Sequence, residues 1–113
     1  MRLREDVTSV DWIEDDKGLA RLVASFKSEI GVDTEFVRTN TFYAKIGLVQ
    51  VFSNSRVSLI EPQKVNDWAP FIEALVSKEL TKIMHASQEE LELFRDMFGI
   101  LPKNVVDCQL AHA

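Results

Sequence analysis

A chain of 113 residues with 46 % hydrophobic and 27 % charged residues is one globular domain or a piece of one, and its four glycines and three prolines are too few for a disordered or fibrous protein. The net charge of −5, from 13 basic and 18 acidic residues, argues against holding nucleic acid through a broad basic surface, though not against gripping a few phosphates through metal ions. No apolar run reaches membrane-spanning length, "MRLREDVTSVDW" lacks the continuous core of a secretory signal, and the single Cys108 permits no internal disulfide. A cytoplasmic setting is therefore expected, with no membrane partner and with Cys108 as a small buried residue.

The first periodic segment follows "EDD" at 14–16. Asp15 or Asp16 caps a predicted amphipathic helix of about 12 residues whose Leu19, Leu22, Val23 and Phe26 recur at three- and four-residue spacing. "IGVDTEF", "IGLVQVF" and "RVSLI" are rich in β-branched and aromatic residues and predict three antiparallel strands, the last two joined by a tight turn at "SNS". Asn66 or Asp67 caps a second predicted helix with Trp68, Phe71, Ile72, Leu75 and Val76 inward. "TKIMHA" reads as a short buried strand. A third helix is predicted from about Gln88 to Phe98, with Leu91, Phe94, Met97 and Phe98 inward and Gly99 as its stop. "NVVDCQLA" closes as a strand. Strands alternating with helices in the second half imply right-handed crossovers and parallel pairing, so the fold class is a mixed α/β sheet.

Within the first of these strands, Asp33 and Glu35 are two residues apart, so both carboxylates project from one face while Thr34 points away. Like charges that close require solvent, a neutral partner or a cation between them. The bland reading is a solvated edge, or pairing with Arg38 or a lysine. The chemical reading is a divalent ion, because all-oxygen ligation suits Mg2+ or Mn2+, whose shells are completed by water and phosphate oxygens.

"GVDTEFVRTNTFYAKIGLVQVF" resembles the first exonuclease motif of the ribonuclease D family, within the DEDD superfamily of 3′–5′ exonucleases. The resemblance continues through "LIEPQKVNDWAPF", "KIMHASQEELELFRDMFGILP" and "VVDCQLAHA". It implies a ribonuclease H-like sheet with three antiparallel strands followed by parallel ones and flanking helices. It also implies hydrolysis from the 3′ end of RNA, such as tRNA precursors, by two divalent ions about 4 Å apart. On that resemblance Asp33 bridges both ions and Glu35 holds one while orienting the attacking water. Phe36 and Tyr43 are expected to stack on the terminal nucleotide, with a core role as their structural alternative. Arg38 meets a phosphate or makes a surface salt bridge, and His85 is a substrate contact or a packed strand-end residue.

Two departures from the family stand out. Its second motif carries an aspartate where "HASQEELELF" has Glu90, a carboxylate one methylene longer. Ser87 and Glu90 also fit the S-x-x-E capping box, so metal ligation and helix capping both stand as roles for Glu90. The third motif, a tyrosine followed four residues later by an aspartate, lies downstream of "VVDCQ" in the family and is absent here. Asp107 does not replace it, since it matches a position outside the four acidic ligands.

Residues 1–113 are thus expected to be the N-terminal part of a catalytic domain, weakly active or inactive alone. The alternative is a non-catalytic remnant of the same fold that binds nucleic acid or protein. Ending before the downstream helices is expected to leave apolar sheet surface open and to favour self-association.

Overall fold

The computed structural model describes residues 9–38 and 44–108. In chain order these form β1 (Ser9–Ile13), α1 (Asp16–Ala24), β2 (Glu29–Arg38), β3 (Ala44–Ser53), β4 (Arg56–Ile60), a short 3-10 turn at Pro62–Lys64, α2 (Ala69–Val76), β5 (Thr81–Met84), α3 (Gln88–Phe98) and β6 (Val105–Asp107). The strands make one six-stranded sheet in the order β1-β4-β3-β2-β5-β6. β2, β3 and β4 pair antiparallel, and β1 with β4, β2 with β5 and β5 with β6 are parallel. The mixed α/β class read from the sequence is the observed one.

Local chemistry explains where the elements start and stop. Asp15 caps α1 by accepting a 2.6 Å hydrogen bond from the Gly18 amide, whereas Asp16 turns outward from the helix and accepts from the Asn66 and Asp67 amides, tying the loop before α2 to the start of α1. Between β3 and β4, Asn54 and Ser55 both adopt positive φ, 52° and 60°, the left-handed pair that a two-residue hairpin turn demands. α3 begins with Ser87 Oγ accepting from the Glu90 amide at 3.2 Å and ends at Gly99 with φ 73°, a left-handed stop that costs glycine nothing.

Alternation along the strands sorts the sheet into two faces. Ile30 and Val32 of β2, Val49 and Val51 of β3, Ile60 of β4 and Met84 of β5 point to one face and are buried there, together with Leu19 of α1, Phe71 and Leu75 of α2 and Phe94 and Phe98 of α3. The rings of Trp68, Phe71, Phe94 and Phe98 stack edge-on or tilted, with centroids 5.0–6.0 Å apart, and join α2 to α3. One buried charge belongs to this layer. Lys82 of β5 is 0 % exposed, and its ammonium donates to the carbonyls of Ser77 at 2.6 Å and Leu80 at 2.7 Å. Burial lowers its pKa, since no carboxylate repays the lost hydration.

Four expectations are corrected. β1 went unread: only Ile13 of its apolar residues joins the core, while Val10 and Trp12 are 57 % and 55 % exposed, so its apolar residues fall mainly on the open face. The cap of α2 is Trp68, with no side-chain cap bond. Asp67 sits one residue earlier and accepts from the Ala69 amide, because Pro70 in the first turn sets the entry of the helix. In α3 the buried leucine is Leu93, with Leu91 only half-buried. Cys108 is half-buried, lying just past β6 at the edge of the sheet.

Candidate active site

The parallel strands set the site. Val32, Met84 and Asp107 stand level across β2, β5 and β6; β5 and β6 end at this level, while β2 runs on beside β3 to Arg38. Asp33 is the first residue of β2 beyond its pairing with β5. His85 is the first beyond β5, and with Ala86 and Ser87 it makes the three-residue loop into α3. Ligand sites in open α/β sheets gather at such carboxyl ends, where side chains from several strands meet.

Asp33 and Glu35 are both exposed and share the face away from the helices, opposite Gln50 and Leu48 of β3. Asp33 Oδ1 accepts from the Thr34 amide at 3.0 Å, which fixes the rotation of the carboxylate. Thr34 turns the other way, its hydroxyl buried without a hydrogen-bond partner among the described residues. Immediately after Glu35 the β2–β3 register slips, Glu35 facing Leu48 but Phe36 facing Ile46. The residue skipped is Gly47 of β3, a bulge that bends the ribbon beside the acidic pair. Phe52 covers the neighbouring Gly31, where a Cβ would come within 3.3 Å of its ring.

Glu90 enters from the first turn of α3. Its side chain is 12 % exposed, and Oε1 lies 3.6 Å from His85 Nδ1. Burial raises its pKa; His85 opposes the rise, and the charges of Asp33 and Asp107 add to it. Asp33 of mid-β2, His85 just past β5 and Asp107 at the end of β6 are each within electrostatic reach of Glu90 at the start of α3. Glu35 is on the same face as Asp33 but about 6–7 Å further along the strand. The capping box is half realised: Ser87 receives the Glu90 amide, while the Glu90 carboxylate faces His85 and not the Ser87 amide.

Among the other sequence-derived candidates, Tyr43 lies outside the described residues, as do the side chains of Phe36 and Arg38. Sequence reading missed two features, the facing of His85 to Glu90 and the approach of Asp107. Both depend on the order β2-β5-β6 and have no local signature. The donors at this end are oxygens with one imidazole, the chemistry a hard divalent cation takes. Among the described residues, however, no three His, Cys, Asp or Glu stand grouped closely enough to hold a metal ion.

Comparisons with known proteins follow this geometry. Residues 10–113 match the family model of the 3′–5′ exonuclease domain. The chain is 41 % identical over 100 residues to ribonuclease D of Musicola paradisiaca, covering 87 % of this chain and 27 % of that protein. It is 42 % identical over 106 residues to ribonuclease D of Pseudomonas paraeruginosa, covering 92 % and 28 %. The crystal structure of Escherichia coli RNase D, an exoribonuclease involved in structured RNA processing, superimposes with a TM-score of 0.81 at 40 % identity over 92 % of this chain and 28 % of that one. The catalytic core of RRP6 from Trypanosoma brucei shares the fold, with a TM-score of 0.82 at 19 % identity, covering 93 % of this chain and 30 % of that one. The chain thus spans a little over a quarter of the length of its ribonuclease D relatives. With the family model matched over nearly all its residues and the sheet superimposing on that of a ribonuclease D, the chain belongs to the 3′–5′ exonuclease family.

Proposed function

We propose that residues 1–113 form part of the catalytic domain of a divalent-metal-dependent exoribonuclease that shortens RNA from the 3′ end, carrying the first and second exonuclease motifs without the third. The observation that supports this most directly is the meeting of Asp33 and Glu90 at one end of the sheet, from elements far apart in sequence. Desolvation and two neighbouring negative charges raise the pKa of Glu90, and a bound cation would relieve both costs. Asp33, Glu35 and Glu90 are the residues that would hold Mg2+ or Mn2+. When bound, a pair of such ions activates the attacking water and stabilises the charge that develops on the scissile phosphate and leaving oxygen.

The chain's own contribution is placement. The Thr34 amide orients Asp33, the Ser87 cap fixes the backbone of Glu90, and the bulge after Glu35 turns the strand at the site. RNA is the substrate class favoured by the relatives: T. brucei RNase D, 20 % identical to this chain, has been solved with the RNA U12. Phe36, Arg38 and Tyr43 remain our candidates for contacts to the 3′ nucleotide. A single cysteine and the absence, among the described residues, of a helix long and apolar enough to cross a membrane accord with a cytoplasmic role.

A second reading has its own support. Glu90 replaces the family's aspartate and, among the described residues, no three potential ligands stand grouped for an ion, as expected of a non-catalytic, RNA- or protein-binding remnant. Incubation of 3′-labelled and 5′-labelled RNA with Mn2+ separates the two. A ladder progressing from the 3′ end and lost in Asp33→Ala supports the exonuclease. RNA retention without shortening, unchanged by Asp33→Ala, supports the binding protein.

A further inference from the structure

We infer that His85 is a positioning residue whose Nδ1–H steers the Glu90 carboxylate toward the ends of β5 and β6, beside Asp33 of β2. The inference rests on the proposed role of Glu90 in the acidic site. The loop from β5 to α3 is only His85, Ala86 and Ser87, so the strand end and the first helical turn are held together by geometry. Ser87 fixes Glu90 at its amide. A glutamate at that position in a helix usually turns back to the cap's own amide.

Here the side chain runs instead to His85, Oε1 to Nδ1 at 3.6 Å, with only 12 % of it exposed. That spacing is in ion-pair range and a few tenths of an ångström beyond a good hydrogen bond. The charged or titratable groups that act on the carboxylate are His85 after β5, Asp33 on β2 and Asp107 on β6. Two of the three repel it. His85 is the attractive one, and it defines where the longer glutamate chain comes to rest. A ligand carboxylate held by a second, hydrogen-bonding residue is the usual way a metal site is given direction.

The tautomer of His85 tests this directly. A neutral histidine in water carries its proton mainly on Nε2, and a carboxylate at Nδ1 reverses that preference. The chain has two histidines, so nitrogen-15 histidine spectra at pH 8 resolve each ring. The expected result is an Nδ1–H tautomer at His85 that reverts to Nε2–H in Glu90→Ala and, should that variant unfold, in the conservative Glu90→Asp. An Nε2–H ring in the parent chain, or an Nδ1–H ring that survives loss of Glu90, overturns the assignment.

Calorimetric titration with Mn2+ reads the consequence. His85→Ala should weaken binding about tenfold, and His85→Asn, which returns an N–H near the place of Nδ1, should restore it. If the tautomer behaves as expected and Mn2+ fails to bind the parent chain, the positioning stands and the metal reading of the site falls.

Discussion

On the helix-covered face of the sheet, Val32, Val49, Val51, Ile60 and Met84 are each at most 4 % exposed. On the other face Val10 and Trp12 are more than half exposed, Val106 is 40 % exposed, and Asp33 and Glu35 face outward beside half-buried Leu48, Phe52, Val57 and Leu59. The same six strands supply both. Alternation of side chains thus separates stability from chemistry. The covered face holds a complete core, whereas the open face combines apolar surface of the kind that seeks a partner with the carboxylates of the candidate site.

Breaking the covered face should have the largest effect. Phe71 is wholly buried and meets the rings of Trp68 and Phe98. Phe71→Ala should cost about 3–5 kcal/mol, much of a stability of about 5–15 kcal/mol, as read from urea unfolding followed by circular dichroism. A loss below about 1 kcal/mol would mean that the helical layer does not hold the sheet.

Lys82→Met tests the one buried charge of that face. Removing the ammonium strands the Ser77 and Leu80 carbonyls, at a cost of about 1–3 kcal/mol. The pH dependence sharpens the point. Burial puts the folded pKa of Lys82 below its ordinary 10.5, so between those values the unfolded chain binds more protons and stability rises with pH. The parent chain should therefore gain on Lys82→Met as pH climbs toward 10.5, in melts run at matched ionic strength.

Glu90 has the opposite sign. Its folded pKa is raised above 4.5, so the folded chain binds protons more tightly and stability falls as pH rises from 4.5 through the raised value. Glu90→Gln should accordingly be the more stable protein at pH 7, by less than the Lys82→Met effect, and the advantage should vanish at pH 4. A site that costs stability at neutral pH is what a functional carboxylate looks like; a destabilised Glu90→Gln at pH 7 would assign Glu90 to structure instead.

The smallest change is expected on the open face. Trp12→Ser should leave stability within about 0.5 kcal/mol, because the indole is more than half exposed already. We expect the parent chain to self-associate through this face. Sedimentation at micromolar concentration should then show less association for Trp12→Ser. Monomeric behaviour of the parent at that concentration would remove self-association from the account.

Much of this arrangement was legible in the sequence, for identifiable reasons. The bounds of α3 came out as read, since Ser87 and Gly99 are local signals that act within one turn. The runs "IGVDTEF", "IGLVQVF" and "RVSLI" declared their strands through β-branched density. β1 stayed hidden because its stability comes from parallel pairing with β4, distant in sequence, while its large apolar side chains face solvent. At the site, period-two spacing placed Asp33 and Glu35 on one face, which in the fold is the one the helices leave open. The facing of His85 to Glu90 and the approach of Asp107 follow from strand order, which no short window contains.

The two-carbonyl grip on Lys82 makes this amine a trap for chains that open. Lysine-modifying reagents and trypsin reach it only when β5 leaves the core, so where reclosing outpaces the reagent its reaction tracks the population of the open form. Once acylated, the side chain has a bulkier end and a single N–H to offer two carbonyls. It no longer fits the place it left. Each opening caught in this way becomes permanent, and under slow acylation a chain population should drain from the folded state at a rate set by the share of chains that are open.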